Sequence, residues 1–377
     1  MRGAEIGPHV RKQWQRRREM RRLYTGMEDD FEPPADAAWH GRPAHASQGR
    51  PGPASTGETP VGHTGKMPVP QQEVACPDWP FDAAQAARRQ QGDTKRAVQQ
   101  RIRLAPGVEL ELVRVPAGEF VMGSPDGPPD QRPPSRQKIA RDFWMGRFEI
   151  TNEQFALFDA SHESGIEFGD YIQFSPGERG WTLSRPRQPV VRVSWRQAKA
   201  FCDWLSRRTG RRFDLPTEAQ WEYACRAGTD GPAWHGPPGA DFSAYANLAD
   251  ASLAAIDPFG WGGRTQVLPA WRPAETRVDD GRRVSACVGS YRPNAWGLHD
   301  MLGNAAEWTR SACRAYPYRD DGRNDPPPPA ADAEPRAVRG GSWYDPPARA
   351  RADFRQAYGP DHPVFDVGFR VVCEDAP

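Results

Sequence analysis

Residues able to act as acids, bases or ligands gather between Val338 and Val372, where Asp345, Arg349, His362 and Asp366 stand among Trp343, Tyr344, Tyr358 and Phe365. Asp345, His362 or Arg349 could serve as a general acid or base. The aromatic residues, together with Pro346 and Val364, could instead form a contact surface. Lone carboxylates and histidines in loops are usually solvated or bonded locally, which favours the second use. Arg339-Gly340-Gly341-Ser342-Trp343 opens the stretch, and its paired glycines let the backbone pass close to a neighbour. Val367-Gly368-Phe369-Arg370-Val371-Val372 closes it as an apolar run, expected to be a buried final strand. Prolines at 346, 347, 360 and 363 break any regular element between the two ends. Segment 343–366 is therefore expected to be an irregular, solvent-facing loop anchored at both ends.

The elements that must hold this segment are legible upstream. Val108 to Ser124 alternates apolar and polar residues on both sides of Pro116-Ala117-Gly118, the pattern of a hairpin with one face in a core, and Phe143 to Ile150 is a further strand candidate. Three helix starts carry a capping box: Thr151 with Gln154, Ser194 with Gln197 and Thr217 with Gln220. Ala198, Phe201, Cys202 and Leu205 make one apolar stripe of the second helix before Gly210 stops it. Cys202 and Cys225 thus read as small core residues rather than nucleophiles. After Gly228, periodicity nearly disappears for about a hundred residues. Tryptophans and tyrosines throughout that region, Trp234, Trp261, Trp271, Tyr291 and Trp296 among them, imply ordered loops that need other support, with metal ions as the natural candidates.

With 36 Gly and 40 Pro in 377 residues, much of the chain must be loop, while 14 Trp require a substantial core. Charge is balanced at 50 Lys plus Arg against 49 Asp plus Glu, so no global field points to nucleic acid or a membrane surface. The six cysteines show no Cys-x-x-Cys pairing, and no apolar run reaches membrane length, so a cytoplasmic protein with reduced thiols and no membrane span is expected. Residues 1–30 form a basic segment with helical character over 10–23, which could touch nucleic acid or another acidic partner. Residues 31–100 are a Pro/Gly-rich linker expected to be disordered, with a short helix near 79–89, and 101–377 form the folded domain.

Several phrases then fall in a familiar order: Val115-Pro116-Ala117-Gly118-Glu119-Phe120-Val121-Met122-Gly123-Ser124, Glu149-Ile150-Thr151-Asn152, Pro189 to Trp195, Leu215 to Glu222, Asn294 to Leu298, Gly303-Asn304 with Glu307-Trp308, and the two ends of the C-terminal stretch. Together, from about Leu104 to Val372, they resemble the formylglycine-generating enzyme, or sulfatase-modifying factor, family. The resemblance implies an α+β fold, irregular, loop-rich and C-type-lectin-like. It also implies structural calcium bound by loop oxygens. One site would use the side chains of Asn247 and Asp280 with the carbonyls of Leu248 and Arg282. The other would use Asp300 and Glu307 with the carbonyls of Gly303 and Ala305. The first crosses an apparent insertion over 250–277.

Enzymes of this family oxidise a substrate cysteine with two active-site cysteines, a soft pair suited to Cu(I). Counting from Ser342, those thiols fall at Asp345 and Ala350, so no copper is expected and the chain resembles a member without the oxidase chemistry. Histidines 9, 40, 45 and 63 are scattered through the N-terminal extension and do not supply the iron-binding helical domain of the family's ergothioneine-pathway branch. Some family members are variable proteins of diversity-generating retroelements, whose final segment is rewritten at adenine-bearing codons. Tyr344, Asp345, Pro346, Tyr358, His362, Val364, Phe365 and Asp366 all belong to the set that altered asparagine codons can encode; Gln356 does not. The reading is a non-catalytic protein that binds a protein or other macromolecule through 343–366. Its alternatives are an enzyme of the same fold and an interaction domain recruited through the basic N-terminus.

Overall fold

The computed structural model describes residues 74–92, 97–167, 181–237, 239–255, 272–319 and 334–374. The expected basic helix over 10–23, the linker over 31–72 and the aromatics Trp261 and Trp271 lie outside these residues.

Helix α1 (Ala83–Gln91) starts from Asp82, whose side chain accepts the Gln85 amide in a capping box. Ala86 is buried, and Gln90 donates to the carbonyls of Arg114 and Trp296. Phe81 joins the main apolar cluster. The folded body therefore extends upstream of residue 101, into sequence whose short apolar content reads as linker. β1 (Gln99–Ala105) and β2 (Val108–Val115) pair antiparallel across the Pro106-Gly107 turn. β3 (Gly118–Met122) pairs with β4 (Ser135–Ile139), not with β2. The hairpin expected around Pro116 is thus absent, because β2 already has β1 on one edge and β5 (Phe143–Gly146) on the other. Residues 112–115 of β2 are buried without alternation, as in a strand covered on both faces.

All three capping boxes form, starting α2 (Asn152–Phe155), α3 (Trp195–Thr209) and α4 (Glu218–Arg226). The short pair β6 (Ile166–Glu167) and β7 (Trp181–Thr182) follows α2. β8 (Arg212–Asp214) completes a sheet of order β1-β2-β5-β13-β8, in which β13 is Val372–Glu374. Phe201, Cys202 and Leu205 of α3 pack with Trp144, Phe213 and Phe369 in a second cluster. Among the described residues, the region after Gly228 is largely irregular, with only the one-turn helix α5 (Ala251–Ala254) before β9 (Ala306–Ala312).

A second sheet, of order β11-β10-β9-β12, carries the C-terminal stretch: β10 (Arg336–Arg339), β11 (Arg355–Tyr358) and β12 (Val367–Gly368). The expected single closing strand is therefore two. β12 runs parallel to β9, whereas β13 enters the other sheet between β5 and β8, so 367–374 stitches the sheets together. Trp195 Nε1 donates to the Thr309 carbonyl and Trp308 Nε1 to that of Val193, fixing α3 against β9. Among the described residues no helix is long and apolar enough to cross a membrane. The architecture is α+β, rich in short strands and loops.

Candidate functional site

Gly340 and Gly341 have φ of 93° and 69°, a left-handed turn that carries the chain from β10 beneath its own returning loop. A Cβ on Gly341 would stand 3.0 Å from the Arg349 carbonyl. The loop folds inward here, which corrects its expected exposure. Trp343, Asp345, Pro346, Val364 and Asp366 are buried; Tyr344, Arg349, Tyr358 and Phe365 are half-buried; of the ten residues expected to contact a ligand, only His362 is exposed. Trp343, Tyr344 and Phe365 form an edge-packed trio with centroid separations of 5.4, 6.0 and 5.6 Å, and Tyr358 packs on Trp308. Aromatic area of this size hides itself from water before it can serve a partner. Replacing Tyr344, Tyr358 and Phe365 together by serine is accordingly expected to cost roughly 4 kcal/mol or more. Chemical denaturation would measure it, and a loss under about 1 kcal/mol would show these rings to be surface groups.

At the centre of the loop lies an ion cluster. Arg272 Nε donates to Asp345 Oδ1 at 2.8 Å and its Nη2 to Asp366 Oδ2 at 3.2 Å. Ser342 Oγ donates to Asp366 Oδ2 at 2.7 Å and accepts the Tyr344 amide, while the Ser342 amide donates to Asp345 Oδ2 at 3.1 Å. Arg349 Nη1 adds a 3.3 Å bond to Asp345 Oδ1, and the Arg272 guanidinium also lies 4.6 Å from the Tyr344 ring centre. Burial opposes the charge of Arg272, but the carboxylates of Asp345 and Asp366 more than offset it and raise its pKa. Burial raises the pKa of Asp366, with Arg272 opposing and Asp345 reinforcing. Asp345 is fully enclosed, so every donor it meets is fixed. Such an arrangement holds a backbone loop; it does not leave a base free.

Asp345 and Ala350 occupy the positions implied for the two family cysteines. Ala350 is buried in the main apolar cluster. A carboxylate locked to two guanidiniums and a methyl group do not fit a soft copper ion. None of the six cysteines forms a disulfide, and Cys202, Cys225 and Cys373 are core residues. Burial pushes the Cys225 thiol up to about 12 and raises that of Cys202, the opposite of what a reactive thiolate needs. Arg272 escaped the sequence reading because it lies in the insertion with no motif around it.

The loops implied to bind calcium converge in part. Asn247 is buried, its Nδ2 donates to the Val284 carbonyl at 3.0 Å, and its Oδ1 has no donor. Asp280 accepts from Tyr291 OH and the Arg282 amide, and burial together with Asp250 pushes its carboxyl up to about 7. An unpartnered amide oxygen and a carboxylate are both hard donors, so by type these two residues fit calcium. At the other site Asp300 is buried with an unpartnered Oδ1, but both oxygens of Glu307 are engaged: Arg370 bonds them bidentately and Trp221 Nε1 donates at 2.8 Å. That pair does not fit as two ligands of one ion. Among the described residues no three His, Cys, Asp or Glu side chains converge on a metal position, so any ion here would draw mostly on amide and backbone oxygens.

Comparison with known proteins identifies the domain and its fold. The family model of the sulfatase-modifying factor enzyme 1-like domain matches residues 99–375. A formylglycine-generating enzyme of Streptomyces coelicolor is 30% identical over 301 residues, covering 68% of this chain and 87% of the relative. The inactive C-alpha-formylglycine-generating enzyme 2 of Bos taurus is 28% identical over 312 residues, covering 71% and 90%. Of solved structures, PvdO from Pseudomonas aeruginosa superposes with a TM-score of 0.51 at 27% identity, over 70% of this chain and 94% of that one. Treponema denticola variable protein 1 superposes with a TM-score of 0.55 at 21% identity, over 74% and 99%, a likeness of fold.

Proposed function

The chain belongs to the sulfatase-modifying factor enzyme 1-like domain family, and on that premise we propose that it is a non-catalytic member that binds a protein or other macromolecular ligand at its C-terminal loop. One observation carries this reading: Asp345, where the first family thiol would stand, is enclosed and bonded to Arg272, Arg349 and the Ser342 amide. The reacting position has become part of the scaffold. General acid–base use of Asp345 is disfavoured for the same reason, since its oxygens already meet donors. The surface left for a ligand is the rim around the cluster, where Ala348, Asp361, His362 and Pro363 are exposed and Tyr344 and Phe365 are half-exposed. Calcium at Asn247 and Asp280, with the carbonyls of Leu248 and Arg282, would brace the irregular loops that carry this rim. That no disulfide joins any of the cysteines agrees with a reducing, cytoplasmic setting.

Purified protein loaded with Cu(I) and given a cysteine-containing sulfatase-type peptide is expected to show no copper-dependent oxygen uptake and no formylglycine product. Turnover would overturn the non-oxidase reading. A diversified form of the same binder would need its variation confined to rim positions such as Tyr344, His362 and Phe365. Replacement at Asp345 or Asp366 would take from the buried Arg272 one of its two counter-charges. The gene decides that point: a near-copy of the 338–372 coding stretch, differing at adenines and lying beside a reverse-transcriptase gene, marks diversification, and its absence marks fixed specificity.

A further inference from the structure

Residues 99–105 and 204–213 carry Arg101, Arg103, Arg207, Arg208, Arg211 and Arg212 and no acid, a local concentration of positive charge in a chain whose net charge is +1. The fold brings β1 and the end of α3 to one open groove of about 450 Å³, lined by Ile102, Arg103, Leu104, Arg208, Thr209 and Arg211. Small-ligand sites span roughly 300–1,000 Å³. No carboxylate of the described residues lines this groove. Arginines at the end of a helix ordinarily serve its last carbonyls. Here the carbonyls of Leu205 and Ser206 already accept the Thr209 hydroxyl and the Gly210 amide, and Arg208 turns to β1 instead. Its Nη2 donates to the Leu104 carbonyl, and its guanidinium lies 5.4 Å from the Trp204 ring centre. Those neutral groups orient its charge without cancelling it. Arg211 Nη1 donates to Gln100 Oε1 at 2.9 Å across the same groove. Arg103 is exposed; Glu109 stands opposite it in the strand register, with its carboxylate 4.0 Å from Arg101 Nε.

We infer that this groove binds a nucleotide-sized phosphate ester, its phosphoryl oxygens on Arg103 and Arg208 and its organic body against Ile102. Arg103 and Arg208 carry two positive charges, which a phosphate dianion matches and a single carboxylate does not. The planar guanidinium fork also pairs with phosphate oxygens two at a time. Half-buried Ile102 and the Leu104 beneath it give the body of the ligand an apolar floor. An extended peptide fits less well, because β1 bulges at Leu104 and Arg208 holds the carbonyl there, which blunts this edge against strand addition. The groove belongs to the first sheet and the C-terminal loop to the second, so the site is independent of the ligand rim.

Isothermal titration of the full chain with ADP, adenosine and inorganic phosphate tests it, in the wild type, in Arg103→Gln and in the double variant Arg103→Gln, Arg208→Gln. ADP should bind the wild type and adenosine should not. Inorganic phosphate should bind about tenfold more weakly than ADP or worse, since it leaves the apolar floor uncovered. Arg103→Gln changes an exposed side chain, so its melting temperature should match the wild type while ADP affinity falls about tenfold or more. The double variant should lose ADP binding. Wild-type ADP affinity in the double variant places the site elsewhere, the basic segment 10–23 included, and overturns the assignment. Adenosine or inorganic phosphate binding as tightly as ADP overturns it as well, the first by removing the phosphate and the second by removing the organic body. A wild type that binds neither ADP nor inorganic phosphate at millimolar concentration ends it. So does a single-stranded oligonucleotide held through Arg103 and Arg208 by a chain that ignores ADP, which makes the groove a nucleic-acid surface.

Discussion

Arg272→Met is expected to destabilise the domain by about 3–5 kcal/mol, because it leaves two buried carboxylates facing each other without their shared cation. Asp345 and Asp366 are 0% and 2% exposed, and Arg272 bonds to both. The loss comes from stranding those charges; the net worth of the intact cluster against an apolar packing is much smaller. The triple variant Arg272→Met, Asp345→Asn, Asp366→Asn should therefore recover a large part of the loss, since amides are cheaper to bury and Ser342 still supplies bonding partners. Urea midpoints of the three proteins measure this. A single-variant effect below about 1 kcal/mol would place the cluster in solvent-like surroundings.

Gly303→Ala is the second large effect, expected at about 2–5 kcal/mol. A residue with a Cβ at φ of 79° costs about 1–2 kcal/mol. Overpacking adds about 1–3 kcal/mol, since the new Cβ would lie 2.3 Å from the Asn247 carbonyl oxygen and 2.9 Å from Leu248 Cδ2. The carbonyl cannot swing away without breaking its 2.8 Å bond from the Asn304 amide. Gly107 supplies the control: its φ is also 79°, but nothing lies within 4 Å of its Cβ position. Gly107→Ala should thus show the conformational cost alone, about 1–2 kcal/mol, and equal losses at the two sites would rule out the packing contribution.

Local signals in the sequence determined a good deal. A capping box involves residues three apart, so Thr151, Ser194 and Thr217 announced their helices without knowledge of anything distant. The stripe of Phe201, Cys202 and Leu205 announced the face that α3 buries. Ordered motifs identified the family and showed that Asp345 and Ala350 stand where thiols would. Strand partnership was not available in the same way: the alternating sequence of β2 and β3 carries no record of which edge is already taken, and in β2 burial departs from it over 112–115.

Only the tertiary structure decided which way the C-terminal loop faces. Prolines and glycines at 340, 341, 346, 347, 360 and 363 say that it is irregular. They do not say whether it faces water, because burial of a loop depends on whether its polar groups find partners. Here Arg272, about seventy residues earlier and in a region without periodicity, supplies the counter-charge that lets Asp345 and Asp366 go inside. Glu149 was likewise an unremarked residue of a motif until the fold buried its carboxyl and set it against Asn304. Sequence fixes the chemical groups and their local geometry; charge pairing across the fold decides which of them are accessible, since a buried charge is tolerated only where another segment neutralises it.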